Sequence, residues 1–311
     1  MRAALIFCNK HGIGDELSLA GPIVSALLRS AFHVCIWTHH SSLYQHPAVE
    51  VHDWCRESRS TFEAPPCDLG LCVFSRIPGV LPIEYDRTPV VAPICERNGW
   101  RMLDGDGRSD GHDFATLYHY STWVVQGIGL RSPAPPWDFL PSRQSEHVLI
   151  NPFGWGDSEK GLPHEFGWEV VRMIADGLPS VQFLVVRLPC HPLPSWGTHP
   201  PNLRVDNAAY GDSSATEAYC TACLVVTAEG GGYHIAHGAG VPALLVTSAK
   251  WFAYVREFAL PPSSRNFLLF DYEAVNHSHA ERVSIAKQIC SWILQNVKRH
   301  KGTSKNPAFS Q

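Results

Sequence analysis

The sequence has few charged residues and no excess of basic ones. Charged residues make up 17% of the 311 positions, with 25 lysines and arginines against 29 aspartates and glutamates. The resulting net charge of -4 leaves no basic field that would attract a nucleic-acid backbone without regard to base sequence. We therefore expect no nucleic-acid partner.

Long apolar runs are absent as well. Stretches such as Cys223–Val226 and Ala243–Thr247 have the length of a strand, whereas a transmembrane helix needs roughly 20 apolar residues. The N-terminal apolar run, residues 3–8, gives way to Asn9 and is too short for the core of a signal peptide. These features favour a cytoplasmic protein without a transmembrane segment and leave room for peripheral contact with a membrane.

The sequence also lacks an evident metal-binding pattern. Its 10 cysteines are scattered, without the dense spacing of a disulfide framework. Cys220 and Cys223 form one C-x-x-C pair with no second pair to complete a zinc site, which favours a packing role. His234 and His237 share one predicted helix without a third ligand suggested by the sequence. We expect no metal and no cofactor.

What the sequence does contain is apolar and aromatic material for two cores. Hydrophobic residues make up 45% of the chain, with 10 Trp and 14 Phe, which excludes global disorder. A proline-rich stretch at 131–137 has few residues that continue a helix or a sheet. We predict domains at residues 1–140 and 146–298, followed by a disordered tail at 299–311.

Both predicted domains begin with the same alternation of elements. In the first, the apolar run 3–8 leads through a glycine turn into a helix, and a second run follows at Phe32–Thr38, which is typical of a β-α-β unit. Leu71–Phe74 and Val90–Ala92 are weaker candidate strands. In the second half we predict strands at His147–Asn151, Gln182–Arg187, Cys223–Thr227 and Pro242–Thr247, and helices at His164–Leu178, Ala215–Ala222, from Tyr233 onward and at Ala280–Lys298. The predicted fold class is α/β, with two doubly wound, Rossmann-like domains.

The first candidate site is the glycine turn Gly12–Asp15. It follows the first strand, where open α/β sheets bind ligands and where a helix N-terminus offers backbone amides. Asp15 has the chemistry of a general base that accepts the proton of an attacking hydroxyl, and Gly14 belongs to the same candidate site. On spacing alone, an aspartate here is more typical of a residue that stabilises the helix N-terminus, so the turn by itself leaves both roles open.

The second candidate is Lys160, which ends a glycine-rich loop before the first helix of the second domain. A lysine here has the charge to pair with a diphosphate and to offset the negative charge that develops as the diphosphate leaves. Most lysines are solvated surface residues, which is the alternative. Trp155, Glu159 and Trp251 are further candidates to border the bound ligand, with packing as the other role for the tryptophans.

The third candidate is the segment Glu229–His234, which opens a helix directly after a predicted strand. Its glycines, Gly230, Gly231 and Gly232, allow the backbone to approach an anion closely, and the helix N-terminus together with His234 would donate hydrogen bonds to a diphosphate. A tight turn with a packing histidine is the structural alternative.

In this order and spacing, the three segments resemble the heptosyltransferase family, glycosyltransferase family 9, over most of the chain. Gly14–Pro22 matches the family's Gly-Asp turn and helix start, with Asp15 at the position of the catalytic base. Lys160–Pro163 echoes the family's Lys-x-Trp-Pro element, with leucine in place of tryptophan. The lysine itself is retained.

The most specific match is Glu229–His234, which lines up with the family's Asp-Ser/Thr-Gly-x-x-His element, followed by the Ala-x-x-Gly-x-Pro run at Ala236–Pro242. Two residues depart from the family pattern. Glu229 replaces aspartate, and Gly230 replaces a serine or threonine whose hydroxyl would touch phosphate.

The resemblance implies a GT-B fold, with two domains facing each other across a cleft, and an inverting, metal-independent sugar transfer. Asp15 would deprotonate an acceptor hydroxyl, while Lys160, the backbone at 230–232 and His234 would stabilise the departing nucleoside diphosphate. The resemblance points to ADP-heptose as the donor. It points to a glycan, a glycolipid such as the lipopolysaccharide core, or another hydroxyl compound as the acceptor.

Two other functions remain open from the sequence. The departures at Glu229 and Gly230 are consistent with a relative that binds a nucleotide-sugar or a glycan without turnover. A nucleotide-sugar epimerase of GT-B-like fold is the other alternative, and it would consume donor in the absence of an acceptor.

Overall fold

The computed structural model describes residues 1–7, 12–38, 40–53, 63–74, 96–104, 117–141, 145–154, 159–191, 193–194, 196, 198–209, 213–256, 260 and 264–303. The chain divides into two compact units. Unit 1 comprises Met1–Pro141, Gly238–Gly240 and Val255–Ser264, and unit 2 comprises Ser142–His237, Val241–Tyr254 and Arg265–Gln311.

Unit 1 is built on a five-stranded sheet in the order β3-β2-β1-β4-β5, in which every pairing is parallel. The strands are β1 (Arg2–Phe7), β2 (His33–Thr38), β3 (Val49–Asp53), β4 (Leu69–Phe74) and β5 (Arg101–Asp104). The helices are α1 (Ile13–Arg29) and α2 (Leu117–Gly127), with a short 3-10 helix at Ser41–Leu43.

The interior of unit 1 follows from the need of a parallel sheet to be covered on both faces. Residues Ala3–Ile6 of β1 and Val34–Ile36 of β2 are fully buried. Helix α1 packs against α2, where Ser121 Oγ donates a hydrogen bond to the carbonyl of Ser18 at 3.0 Å. This packing fixes the helix whose first turn carries the candidate base.

Unit 2 contains a six-stranded parallel sheet in the order β11-β10-β9-β6-β7-β8. Its strands are β6 (Val148–Asn151), β7 (Phe183–Arg187), β8 (Leu203–Asn207), β9 (Leu224–Thr227), β10 (Ala243–Ser248) and β11 (Phe267–Phe270). Its helices are α3 (His164–Gly177), α4 (Ser213–Thr221), α5 (Gly231–Gly238), α6 (Ala249–Val255), α7 (Tyr272–His277) and α8 (His279–Thr303).

The central strands of unit 2, β6 and β9, are buried along their whole length. On one side of the sheet, α3 packs against α8. Arg282 on α8 joins the two helices, because its Nε lies 2.7 Å from Oε2 of Glu169 and its guanidinium lies 4.1 Å from the ring centre of Phe166. Arg282 therefore ties α3, the helix that follows the loop after β6, to α8.

The predicted α/β class with two doubly wound parallel sheets is confirmed. The interior strands lie within two residues of their predicted bounds, whereas the sequence analysis missed β3, β5, β8 and β11. Helix α8 continues to Thr303 and so extends into the predicted tail. The weak strand prediction at Val90–Ala92 lies outside the described residues. Within the described part of the chain, no helix has the length and apolar composition needed to cross a membrane.

Candidate functional site

The sheet of unit 2 has its topological switch point between β6 and β9. From β6 the chain moves outward to β7 and β8, and it then returns to the other side of β6 to form β9. Open parallel sheets bind ligands at the carboxyl ends of the strands where the order reverses in this way. The loops that leave β6 and β9 at this point contain Lys160 and Glu229, so the structure brings together two segments that the sequence analysis selected separately.

Backbone hydrogen bonds join these loops to each other. The amide of Glu229 donates to the carbonyl of Lys160 at 3.1 Å, and the amide of Ser248 donates to the carbonyl of Glu159 at 3.2 Å. A Cβ on Gly161 would lie 2.5 Å from the carbonyl oxygen of Pro152, so this close approach requires glycine. Residues 155–158, which include Trp155, lie outside the described residues.

The side chains of Lys160, Glu229 and Trp251 form one cluster at this edge. Lys160 Nζ lies 3.7 Å from Oε2 of Glu229, and the Trp251 indole N–H donates to the same oxygen at 3.0 Å. Lys160 Nζ also lies 4.8 Å from the centre of the Trp251 ring. The Glu229 side chain is 9% exposed and that of Lys160 is 35% exposed. The carboxylate is thus held in place, while the ammonium group remains partly accessible to a ligand.

The three glycines after β9 have different structural roles. Gly230 has a φ of +146°, a conformation that residues with a side chain rarely adopt. Gly231 begins α5, and a Cβ on Gly232 would lie 2.5 Å from ring atoms of the buried Tyr219. The first amides of a helix have no acceptor within it, and Gly231 and Gly232 occupy these positions. The turn therefore aims a helix N-terminus at the switch point, as an anion site requires.

His234 is on the first full turn of α5, and its side chain is buried. Burial, with a smaller contribution from nearby His237, lowers the pKa of His234 to about 3. The imidazole is therefore neutral near pH 7, so it has a ring N–H for hydrogen bonding but adds no positive charge. Charge compensation at this site comes from Lys160 and from the helix N-terminus.

In unit 1, the candidate base also lies at a switch point. Strand β1 has β2 on one side and β4 on the other, and α1 follows β1. Asp15 is the third residue of α1, after Gly12 at the N-cap. Gly14 is buried, and its carbonyl accepts a hydrogen bond from Ser18 Oγ at 2.8 Å. The side chain of Asp15 lies outside what the structure describes, as do residues 8–11.

Comparison with solved structures identifies the fold of this chain. No family model and no curated protein matches the sequence. The solved structure of E. coli heptosyltransferase WaaC with ADP is similar, with a TM-score of 0.59 and 12% identity over 95% of this chain and 100% of that chain. A glycosyltransferase family 9 protein from Veillonella parvula DSM 2008 is similar with a TM-score of 0.60 and 12% identity, over 96% and 97% of the two chains. The chain shares the fold of these two structures.

These likenesses confirm the expected GT-B fold class. A third similar structure is the iron-containing dodecameric glycosyltransferase TibC from enterotoxigenic E. coli H10407, with a TM-score of 0.53 and 11% identity over 98% of this chain and 77% of that chain. At such identities the likeness concerns the path of the chain.

Within this fold, Glu16 is a site-adjacent residue that the sequence analysis missed. It follows Asp15 and is buried. Its Oε1 accepts hydrogen bonds from Thr38 Oγ1 and from Tyr44 Oη, the latter at 2.7 Å. Burial and the Glu16 carboxylate raise the pKa of Tyr44 well above its usual range, so the phenol remains a donor. Glu16 thus anchors the first turn of α1, which positions the backbone of Asp15.

No sequence signal distinguished Glu16 from a solvated helix residue, because both hydrogen-bond donors come from elements further along the chain. Lys250 was missed because its partner, Glu159, lies 91 residues earlier in the chain. Its Nζ lies 2.9 Å from Oε1 of Glu159, which places a second lysine beside the Lys160 loop.

Proposed function

We propose that the protein is an inverting, metal-independent glycosyltransferase that moves a sugar from a nucleotide-sugar to an acceptor hydroxyl. The observation that carries the proposal is the contact of Lys160 with Glu229, the residue directly before the glycine turn 230–232, at the switch point of unit 2. A cation beside a helix N-terminus has the charge and the donors that a diphosphate needs.

ADP-heptose is the donor that we propose. One WaaC structure is described as containing ADP and another as containing ADP-2-deoxy-2-fluoro heptose. In this chain the diphosphate would accept hydrogen bonds from the amides of Gly231 and Gly232, and the neutral imidazole of His234 would add one more. The Lys160 ammonium group would form an ion pair with the diphosphate and weaken its own pairing with Glu229. The Trp251 indole N–H would continue to donate a hydrogen bond to the Glu229 carboxylate.

The transfer itself would proceed by direct displacement. Asp15 accepts the proton of the acceptor hydroxyl as the acceptor oxygen bonds to the anomeric carbon, and the bond from that carbon to the diphosphate breaks with inversion. Lys160 and the α5 N-terminus stabilise the charge that develops on the leaving diphosphate, which is the task of a divalent cation in other transferases. The acceptor would be a glycan, a glycolipid such as the lipopolysaccharide core, or another hydroxyl compound, and the reaction would take place in the cytoplasm.

The first test is a binding screen of the purified full chain. Thermal shift and calorimetry would be run against ADP-, GDP- and UDP-sugars with chelator present, because a ligand that binds the folded state raises its apparent stability. We expect a selective response to the ADP-sugar. Lack of response to every nucleotide would overturn the donor assignment.

Turnover is tested with Asp15→Asn, which keeps the size of the side chain and removes its basicity. We expect donor affinity to stay within about twofold and transfer to fall by about 10²-fold or more, the usual contribution of general acid–base catalysis. Asp176→Asn, at an exposed position on α3, is the matched control and should transfer normally. Undiminished transfer by Asp15→Asn would remove Asp15 from the mechanism.

A binding-only relative is the second candidate. It is favoured by one observation, that Lys160 already pairs with Glu229, the residue that departs from the family's aspartate. Binding of an ADP-sugar with neither transfer nor hydrolysis, over a wide panel of acceptors, would favour this candidate over the enzyme.

A further inference from the structure

Four side chains with metal-ligating chemistry share one face of the unit 1 sheet, on the neighbouring strands β2 and β3. His33 and Cys35 alternate on β2, and Glu50 and His52 alternate on β3. The two strands pair in parallel with Cys35 opposite Glu50. Because side chains two residues apart on a strand point to the same side, this register gathers all four on one surface.

Three of these residues lie within ligating reach of one another. His33, Cys35 and Glu50 each offer one ligand atom, and these atoms all lie within 4.8 Å of one another. Cys35 Sγ lies 3.2 Å from Oε2 of Glu50, and His33 Nε2 lies 3.8 Å from the same oxygen. In a tetrahedral zinc site, bonds of about 2.3 Å to sulfur and about 2.0 Å to nitrogen or oxygen put neighbouring ligand atoms about 3.3–3.6 Å apart. The two separations from Glu50 Oε2, 3.2 Å to the sulfur and 3.8 Å to the imidazole nitrogen, are close to this spacing.

His52 contacts the second carboxylate oxygen of Glu50. Its Nε2 lies 3.2 Å from Oε1 of Glu50, the oxygen that the other residues do not share. The His52 ring is stacked on Trp37, with ring centres 4.8 Å apart and an interplanar angle of 11°. A hydrogen bond to the second oxygen of a ligating carboxylate is the usual way in which a protein orients such a ligand.

A cationic group already occupies the space between the sulfur and the carboxylate. Arg2 Nη2 lies 3.1 Å from Cys35 Sγ and 3.1 Å from Oε2 of Glu50. The Arg2 side chain is 40% exposed, so its long stem can turn out into solvent. The Cys35 sulfur and the Glu50 carboxylate therefore already share one positive group, and a divalent cation would take its place.

We propose that this cluster is a zinc-type divalent cation site, with His33 Nε2, Cys35 Sγ and the Glu50 carboxylate as protein ligands and water in the fourth position. Binding displaces the Arg2 guanidinium, and the Cys35 thiol gives its proton to solvent as the sulfur–metal bond forms. The cation joins the edge strand β3 to β2 and stabilises unit 1. The site lies at the opposite end of the sheet from Asp15, and the proposal does not depend on the sugar-transfer reaction.

The test uses the full chain freed of metal by chelator dialysis and titrated with zinc chloride in competition with a chromophoric chelator. We expect one equivalent to bind and to raise the melting temperature. Cobalt(II) in place of zinc should give a sulfur-to-metal charge-transfer absorption, which reports the Cys35 ligand directly. Failure of the wild type to bind zinc at micromolar concentration would overturn the proposal.

Two variants test the assigned ligands, and a third provides the control. Cys35→Ser should abolish the cobalt absorption, and His33→Gln, at an exposed position, should weaken zinc binding at least about tenfold without disturbing the fold. Cys190→Ser, a thiol in unit 2, should keep both signals. Binding that survives in both Cys35→Ser and His33→Gln would show that zinc sits elsewhere.

Arg2→Gln tests the displacement of the guanidinium. Removing a positive charge that competes for the same two ligand atoms should tighten zinc binding about tenfold or more. Weaker binding by this variant would contradict a site in which Arg2 must leave.

Discussion

Glu229 and Lys160 are joined twice: the amide of Glu229 donates to the carbonyl of Lys160 at 3.1 Å, and Lys160 Nζ lies 3.7 Å from Oε2 of Glu229. The backbone bond fixes the distance between the two loops, and the side-chain pair sets the charge between them. In the proposed function, a diphosphate bound here would compete with Glu229 for the lysine. The affinity for the proposed donor would then depend on the balance between these two residues.

Lys160→Met should weaken ADP binding about 10- to 100-fold. A hydrogen bond to a charged group contributes about 1.5–3 kcal/mol, and each 1.4 kcal/mol corresponds to a factor of ten. The loss also leaves the Glu229 carboxylate facing the diphosphate. Calorimetric titration with ADP measures the change, and Lys287→Met, an exposed lysine on α8, is the control.

The double variant Lys160→Met/Glu229→Gln separates two roles of the lysine. If Lys160 contacts the diphosphate, removing the carboxylate as well restores only part of the lost affinity. Full recovery of wild-type affinity would mean that the lysine serves only to neutralise Glu229, contrary to our proposal.

Gly230→Ser would restore the hydroxyl found in the family pattern, yet we expect it to destabilise the protein without improving donor affinity. The backbone at this position has a φ of +146°, and holding a residue with a side chain there costs about 1–3 kcal/mol. No atom lies within 4 Å of the added Cβ, so the cost comes from backbone strain and not from a clash. Urea unfolding and ADP titration give the two quantities. A tighter complex at unchanged stability would contradict this reading.

Gly232→Ala should lower the free energy of unfolding by about 1–3 kcal/mol, the usual cost of overpacking a filled site. The added methyl would lie 2.5 Å from ring atoms of Tyr219, whose hydroxyl accepts a hydrogen bond from Asn151 at 2.7 Å and so holds the ring in place. Gly127→Ala is a matched control because an added Cβ there meets nothing within 4 Å. Equal stability of the two variants in denaturant unfolding would refute the packing role of Gly232.

The buried His191 should make stability fall with acid. Burial, followed by the nearby charges of His164 and Arg187, lowers the pKa of His191 to about 4. An unfolded histidine titrates near pH 6.5, so between about pH 6.5 and 4 the unfolded chain binds more protons and the free energy of unfolding decreases as pH falls.

This residue should contribute about 2 kcal/mol to the difference in stability between pH 7 and pH 5, at about 1.4 kcal/mol per unit below pH 6.5. His191→Asn should reduce that difference, whereas His277→Asn, at an exposed position on α7, should retain it. The measurement is denaturant unfolding at both pH values. An unchanged difference in His191→Asn would exclude this histidine as the cause.

The sequence predicted the interior of each sheet and missed its edges. The four strands absent from the prediction, β3, β5, β8 and β11, are the two outermost strands of each sheet. Interior strands of a parallel sheet are buried on both faces and are therefore continuous apolar runs, whereas β8 has a single buried residue, Leu203. An edge strand is defined by the neighbour it pairs with, which a local pattern does not record.

The same reasoning explains what could be foreseen of the candidate site. Lys160 and the glycines 230–232 follow strands at the switch point, so topology alone puts them together. The contact of Trp251 with Glu229 depends on how β9 aligns with β10. The group formed by His33, Cys35 and Glu50 depends on the register of an edge strand. A search for ligands along single segments, such as His234 and His237 on one helix, could not find it.

The order of strands in unit 2 also bears on synthesis of the protein. Val148 of β6 pairs with Leu224 of β9, and 224 − 148 places them 76 residues apart. At roughly 5–20 residues per second, a ribosome needs about 4–15 s to supply β9 after β6 has been made. During that time β7 is the only one of the two neighbours of β6 that has been made. The edge of β6 that later pairs with β9 therefore stays unpaired in the nascent chain. A chaperone that binds extended apolar segments would have its best opportunity at β6.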